Sequence, residues 1–592
     1  MKYPYLSELR TTRQMIDVFR GYNHNLRIGE GEFYDMKNLT SNDYPVLSPR
    51  ERRGIYKTPG VPQGMVAKDT LCYVDGGDFI IDGERIPMGL TVERDADGNI
   101  IPKNLISMGA YVIIMPDKRY INTSDLTDYG SIEASVTTTE TVTFTPCTME
   151  GVDKLIVVGT NPYEKEPINK AEGTIMGAYW LDITSEPPVL KYYSSLSKSW
   201  EPLETMYIKI ASPGIGISFE VNDGVQISGI EDEALQDINT TTNVWAKGDD
   251  YIVVTSPPSS IVTQETPITI KRLMPIMDFM IESGNRLWGC RYGEARNGEM
   301  VNEIYASKLG DFKSWDSFAG VSTDSYAVTV GSDGPFTGAI AFRGSPIFFK
   351  EGCMHKIYGN YPANYQVLTT ACRGVQKGCS GSLAIVNETL FYKSRAAVCA
   401  YDGALPYEIS TPLGEDVYDN AIAGALGNKY YISMRDAAGK YNLFVYDALK
   451  GMWHKEDDAR ALVFCTCGGE LYYIDPTYGQ IKTVRGTGEL EKSPVEWEAM
   501  TGVIGTDSPD KKYISRLDVR MSLELGARVY FYVQYNSTGA WEPLYTMTGT
   551  TLQSFGVPMK PKRCDHLRLK IVGVGEAKIY SICKTIEQGS DV

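Results

Sequence analysis

The chain has 592 residues, 58 Lys and Arg against 74 Asp and Glu, a net charge of -16 and a pI near 5.0. That balance excludes a surface built to hold nucleic acid, which needs clustered cations to displace counterions. Length alone suggests about four domains. No stretch approaches the ~18 apolar residues of a membrane helix, and Met1 to Arg20 shows no apolar leader core, so a protein without a membrane anchor is expected. With 39 Tyr, 57 Gly and 30 Pro, aromatic strands separated by many turns are the predicted product. The 11 Cys are odd in number and scattered, as expected of small apolar side chains in a reducing compartment.

In chain order, residues 1–55 read as an extended arm, because Gly21, Gly29 and Gly31 interrupt any helical pattern and Tyr44–Pro49 reads as extended chain. From there a unit recurs: strand, tight turn, aromatic strand, second turn, third strand. The aromatic strands are Thr70–Tyr73, Ala110–Ile113, Arg286–Gly289, Pro346–Phe349, Thr389–Tyr392, Lys429–Ile432 and Glu470–Tyr473. Their first turns fall near Asp69, Gly109, Asn285, Gly344, Asn387, Asn428 and Gly468, so neighbours are 40, 176, 59, 43, 41 and 40 residues apart. Five of the six spacings approach the roughly 40–50 residues of a propeller blade. A four-stranded sheet cannot bury both its faces alone, and radial stacking of similar sheets can. The predicted fold class is all-β: a β-propeller of about seven blades over 56–124 and 276–490.

The long gap predicts an inserted β-rich domain over 125–275. Within it Ala134–Thr145, Gly216–Val221 and Tyr251–Thr255 read as strands, and Glu231–Asp237 as one short helical turn. Residues 491–592 alternate cleanly, as in Leu517–Met521, Val529–Tyr535, Leu567–Ile571 and Lys578–Ile582, and predict a C-terminal β-sandwich. One phrase occurs twice: Trp200–Met206 and Trp541–Met547 share Trp-Glu-Pro-Leu-x-Thr-Met. A hairpin ending explains it as well as a shared sandwich plan does.

No residues stand in a pattern that specifies catalysis, so the expectation is catalytic residues none, cofactor none and metal none. The histidines His24, His355, His454 and His566 form no metal-binding spacing. Gly378–Ser382 lacks the last glycine of a nucleophile elbow, and Gly331–Gly334 lacks the lysine of a phosphate loop. Cys465 and Cys467 point the same way on a strand but have no further ligands in sequence, and Cys372 and Cys379 share a Gly-rich loop. Asp95–Asn99 resembles a calcium loop and is explained by an Asp-Gly hairpin turn. Paired carboxylates could serve a glycosidase, yet the Ser-x-Asp-x-Gly-x-x-Trp pattern of sialidase propellers does not occur.

Three segments carry a family resemblance. Phe19–Asn23, Gly31–Leu39 and Pro45–Arg53 resemble the start of bacteriophage tail nozzle proteins, and Asn302–Trp315 is similar to their blades. Pro561–Lys570 is similar to proteins from the structural gene blocks of gut Firmicutes phages and prophages. The resemblance implies a structural, non-enzymatic virion protein made in the host bacterial cytoplasm. It would form a ring of six copies in the tail beside an adaptor or fibre protein, with viral DNA passing through without specific binding. Two other functions are left open. One is a receptor- or glycan-binding tail protein, with Trp541 and Tyr545 as stacking groups. The other is a propeller hydrolase acting on cell-wall polysaccharide.

Overall fold

A computed structural model describes residues 11–159, 179–186, 188–194, 196–318, 320–506, 511–549, 551–560 and 562–588. Its organising feature is a circle of seven antiparallel sheets. The inner strands are Pro62–Ala67, Asn104–Met108, Phe279–Glu282, Gly338–Phe342, Ala384–Val386, Tyr418–Leu426 and Phe464–Cys467, heading blades one to seven. Each inner strand packs against the next, blade four reaching blade five through the turn Ser380–Ser382, and blade seven packs back against blade one. The ring is closed: this is a seven-bladed β-propeller.

The recurring aromatic strands are the second strand of every blade. They are covered on both faces by neighbouring blades, which is why they read as continuous apolar runs rather than alternating ones. Ile347, Phe348 and Phe349 are fully buried, as are Leu390 and Tyr392. The turns ahead of them need left-handed backbone, as at Asn387 and Glu388 (φ 47° and 62°) and Gly468 and Gly469 (φ 57° and 79°). Such pairs match the twist of the flanking strands, so Gly and Asn recur at the turn positions.

Blade seven is completed from the other end of the chain. Gly54–Lys57 pairs antiparallel with Gln480–Thr483 and with Glu489–Leu490. A Cβ on Gly54 would lie 2.2 Å from Thr487 O and 2.4 Å from Thr483 Oγ1, so only glycine fits this close approach. Next to it, Arg53 is 1 % exposed. Its Nε donates to Asp457 at 2.9 Å and its NH2 group to Glu456 at 2.7 Å, both on the connection from blade six to blade seven. Burial raises the Asp457 carboxyl, but Arg53 and Arg50 outweigh it and hold the group at about 2.

The arm expected over 1–55 is therefore tied down over its described residues, 11–55; residues 1–10 lie outside the described residues. Thr11–Ile16 pairs with Ala577–Gln588, Tyr22 with Trp453, and Glu32–Lys37 with Glu496–Thr501. One ten-stranded sheet runs from blade six through Gly21–Tyr22 and Glu32–Lys37 into the C-terminal unit. Two of the three glycines that read as helix breakers are sites of close approach: a Cβ on Gly21 would lie 2.2 Å from Trp453 O, and one on Gly31 2.3 Å from Val18 O. A second sheet, Thr11–Ile16, Ala577–Gln588, Lys512–Leu523 and Gln553–Val557, faces that extension and completes the C-terminal sandwich.

The insert starts after Ser131, not at Asp125, because Asp125–Ser131 is the outer strand of blade two. Two sheets enclose its core of Phe144, Ile208, Ile210, Ile227, Ile252 and Ile270, and a small third sheet lies beside them. Ala134–Thr145 is divided between the sheets as Ala134–Thr137 and Val142–Cys147. Gly216–Val221 forms turns rather than a strand, and a 3-10 helix covers Glu233–Ile238 behind the capping Asp232.

Replacing Arg53 by Met leaves Glu456 buried without its partner and Asp457 with Arg50 alone, and should cost about 3–5 kcal/mol. Urea unfolding followed by tryptophan fluorescence checks this, and adding Glu456→Gln and Asp457→Asn should restore most of the loss.

Candidate functional site

Seven inner strands converge on an axis that their side chains do not fill. At the end where these strands begin lies a cavity of about 500 Å³. Its wall takes Asn104 from blade two, Phe279 and Ile281 from blade three, Ala339 from blade four, Ala423 from blade six and Phe464 from blade seven. The Asn104 amide donates to Met280 O at 3.0 Å and ties blade two to blade three inside the wall. The lining is mostly apolar with a few polar groups, the usual character of a small-ligand pocket.

Two charged groups reach this wall, Lys103 and Asp278. Asp278 precedes the inner strand of blade three. Its Oδ1 accepts from Arg291 at 2.7 Å and its Oδ2 from the Tyr292 backbone N–H at 2.8 Å, and its side chain is 23 % exposed. These contacts fix the carboxylate while leaving part of it open to a ligand. Lys103 is almost fully buried and pairs with Asp117, from the turn after the second strand of blade two. The Thr91 backbone N–H and hydroxyl each donate to Asp117 at 2.7 Å. Burial would raise the Asp117 carboxyl, but Lys103 and Thr91 win and hold it below the ordinary carboxylate range. Sequence reading missed these residues: Lys103 and Asp117 belong to one hairpin of blade two, Asp278 lies beyond the inserted domain, and only blade packing brings Lys103 and Asp278 to one wall.

The residues weighed from sequence are scattered. His24 stacks on Tyr34 with ring centroids 4.2 Å apart, and His566 joins Ser537 and Asp565 on the sandwich. Cys465 and Cys467 lie on the inner strand of blade seven and pack toward Met65, Leu71 and Tyr472; burial pushes the Cys465 thiol up to about 12. Burial also raises Cys372, to about 11, and Cys379, whose sulfur accepts from Ala421 N–H at 3.4 Å. Among the described residues no group of three His, Cys, Asp or Glu is placed to hold a metal ion. The Asp95 carboxylate is taken up by the Asp97 and Asn99 backbone N–H groups and the Asn99 amide, as in a hairpin turn. Ser382 is fully buried and donates to Cys379 O at 2.6 Å.

The repeated Trp phrase sits in unlike settings. Trp200 packs edge-on against Trp180 and Tyr193, whereas Lys570 Nζ lies 4.9 Å from the Trp541 ring centroid. Tyr545 is 44 % exposed.

No family model and no curated protein matches the chain. Among solved structures, the chain is similar to an exo-beta-1,3-galactanase from Phanerochaete chrysosporium with galactose. Identity is 8 %, 52 % of this chain and 94 % of that chain are covered, and the TM-score is 0.20. A structure described as a glycoside hydrolase shows 11 % identity, 51 % and 96 % coverage and a TM-score of 0.19. Trypanosoma rangeli sialidase in complex with sialic acid shows 9 %, 84 % and 93 %, and 0.20.

These likenesses correct two expectations drawn from the sequence. The similar structures are sugar-processing enzymes, so the reading of a ring that conducts DNA and the exclusion of an enzyme are both withdrawn. At these TM-scores the likeness carries over no residue and no substrate.

Two histidines outside the cavity make the propeller acid-sensitive. His355 is fully buried, its Nε2 paired with Ser332 Oγ at 2.7 Å and its Nδ1 with Thr369 Oγ1 at 2.9 Å. Burial first, then Lys350, lowers it to about 4. Burial, then Lys429, lowers His454 to about 3. A folded-state value below the unfolded 6.5 means the native state binds fewer protons. Their contribution is therefore full above about pH 6.5 and is lost as pH falls toward those lower values. Acidification to pH 5 should cost about 2 kcal/mol per histidine. Thermal unfolding at pH 7.5 and pH 5 checks this; His355→Gln and His454→Gln should each shrink the difference.

Proposed function

We propose that this chain is a carbohydrate-active β-propeller that takes a saccharide unit of a bacterial polysaccharide in its axial cavity. The observation that carries the reading is the cavity itself: about 500 Å³, aromatic and apolar on its walls, with the partly open Asp278 carboxylate fixed in its rim. Phe279 and Phe464 supply apolar wall for the C–H side of a sugar ring, while Asp278 would accept and Asn104 donate hydrogen bonds to hydroxyls. Asp278 is the group placed to meet the glycosidic bond. Glycoside hydrolysis needs a second carboxyl across the bond. Asp117, on the neighbouring blade, is 5 % exposed, paired with Lys103 and outside the cavity lining, so Asp278 is the carboxylate of this wall among the described residues.

The setting we propose is a virion tail, where the segments similar to phage proteins would put the cavity in contact with host cell-wall polysaccharide. No ring or DNA-conducting role is part of this reading.

Purified protein incubated with bacterial cell-wall polysaccharides should release reducing ends. Asp278→Asn should lower that rate by about 100-fold or more while leaving the unfolding midpoint within a few degrees. Equal rates for the two proteins, or neither release nor saturable binding by the wild type, would overturn the reading.

A further inference from the structure

The C-terminal sandwich holds a second cavity, separate from the axial one. Its volume is about 90 Å³. Ile16, Phe19, Phe33, Leu517, Phe531 and Ile582 contribute apolar walls, and residues 28–32 and 501–504 form its mouth. Ile28 packs over Gly502 there: a Cβ on Gly502 would lie 2.5 Å from Ile28 Cγ1, so the missing side chain at Gly502 is what lets Ile28 seat.

One wall residue does not belong in an apolar cavity. Lys584 lies on the strand Ala577–Gln588, opposite Leu517, with a side chain only 1 % exposed. Burying an ammonium group is unfavourable unless a partner offsets it. The described partner of its Nζ is Glu30, at 2.8 and 2.9 Å to the two carboxylate oxygens. Glu30 comes from the lid, between Gly29 and Gly31, and is itself 54 % exposed. A carboxylate half in water is a replaceable counter-ion. The lid has its own anchor, since Glu32 accepts from the Gly29 backbone N–H at 2.6 Å.

We propose that this cavity binds a compact apolar carboxylate, whose hydrocarbon part fills the chamber and whose carboxylate replaces Glu30 on Lys584. The cavity is smaller than the ~150 Å³ void known to admit benzene, so the hydrocarbon part that enters must be smaller than a benzene ring, which points to a branched acid of about four or five carbon atoms with its carboxylate at the mouth. Apolar walls alone would accept any small hydrocarbon; the buried cation selects the acid, because a charge-assisted hydrogen bond forms out of water. Displacing Glu30 frees the lid, and Ile28 then swings clear of the mouth.

The test is titration of the full-length protein with isovalerate, read by calorimetry and by the unfolding midpoint, beside the neutral amide of the same shape. The acid should bind saturably at one site and about tenfold more tightly than the amide. Glu30→Gln removes the competing carboxylate and should tighten isovalerate roughly threefold or more. Lys584→Met should abolish the preference for acid over amide. If that variant fails to fold, Glu30→Gln carries the test alone, because its expected effect is a gain. No saturable binding of isovalerate, amide binding as tight as acid, or an unchanged affinity in Glu30→Gln would each overturn the proposal.

Discussion

Everything in this molecule depends on closing a circle. A propeller blade is stable only when sheets cover both of its faces, so the first and last blades must meet. Here the meeting is made by Gly54–Lys57, which supplies the missing strand of blade seven from the beginning of the chain. The junction is locked beside it by Arg53, buried between Glu456 and Asp457. The same short segment thus satisfies backbone hydrogen bonds and neutralises two carboxylates that burial would otherwise penalise.

Closure has a consequence for the rest of the chain. Because residues 54–57 must return to blade seven, the residues before them are held at that side of the ring. They use their remaining hydrogen-bonding capacity to bridge blade six to the C-terminal sandwich through Gly21–Tyr22 and Glu32–Lys37. Propeller and sandwich consequently share one hydrophobic core, which runs from Phe342 and Tyr392 to Val529 and Ile571. The inserted domain has its own core and enters where the chain crosses from blade two to blade three. The small apolar chamber beside Lys584 arises where the N-terminal segment, rather than a regular sandwich strand, covers one end of that shared core.

The axial cavity follows from the same geometry. Inner strands approach the axis only as closely as their side chains allow, so a seven-fold ring leaves an opening that its neighbouring loops shape. The chain uses it sparingly: most of the wall is apolar, and the charges that reach it are pinned by Arg291 and by the Lys103–Asp117 pair. This is a small number of fixed polar groups on a rigid wall, which suits selective holding of one polar ligand.

The sequence by itself determined the all-β class, the seven repeating units and the positions of the aromatic strands, because these are local patterns. A turn needing left-handed backbone leaves Gly or Asn behind, and a strand covered on both faces leaves a continuous apolar run, as in Pro346–Phe349. Tertiary structure alone decided what pairs over long separations. Gly21 and Gly31 read in sequence as breaks in a helical pattern, and only the folded chain shows that each, like Gly54, marks a backbone approach too close for a side chain. The candidate site was illegible for the same reason. Asp117 and Asp278 belong to blades separated in sequence by the whole inserted domain, and Lys584 acquires Glu30 from the opposite end of the chain, so no spacing rule could join them before the ring closed.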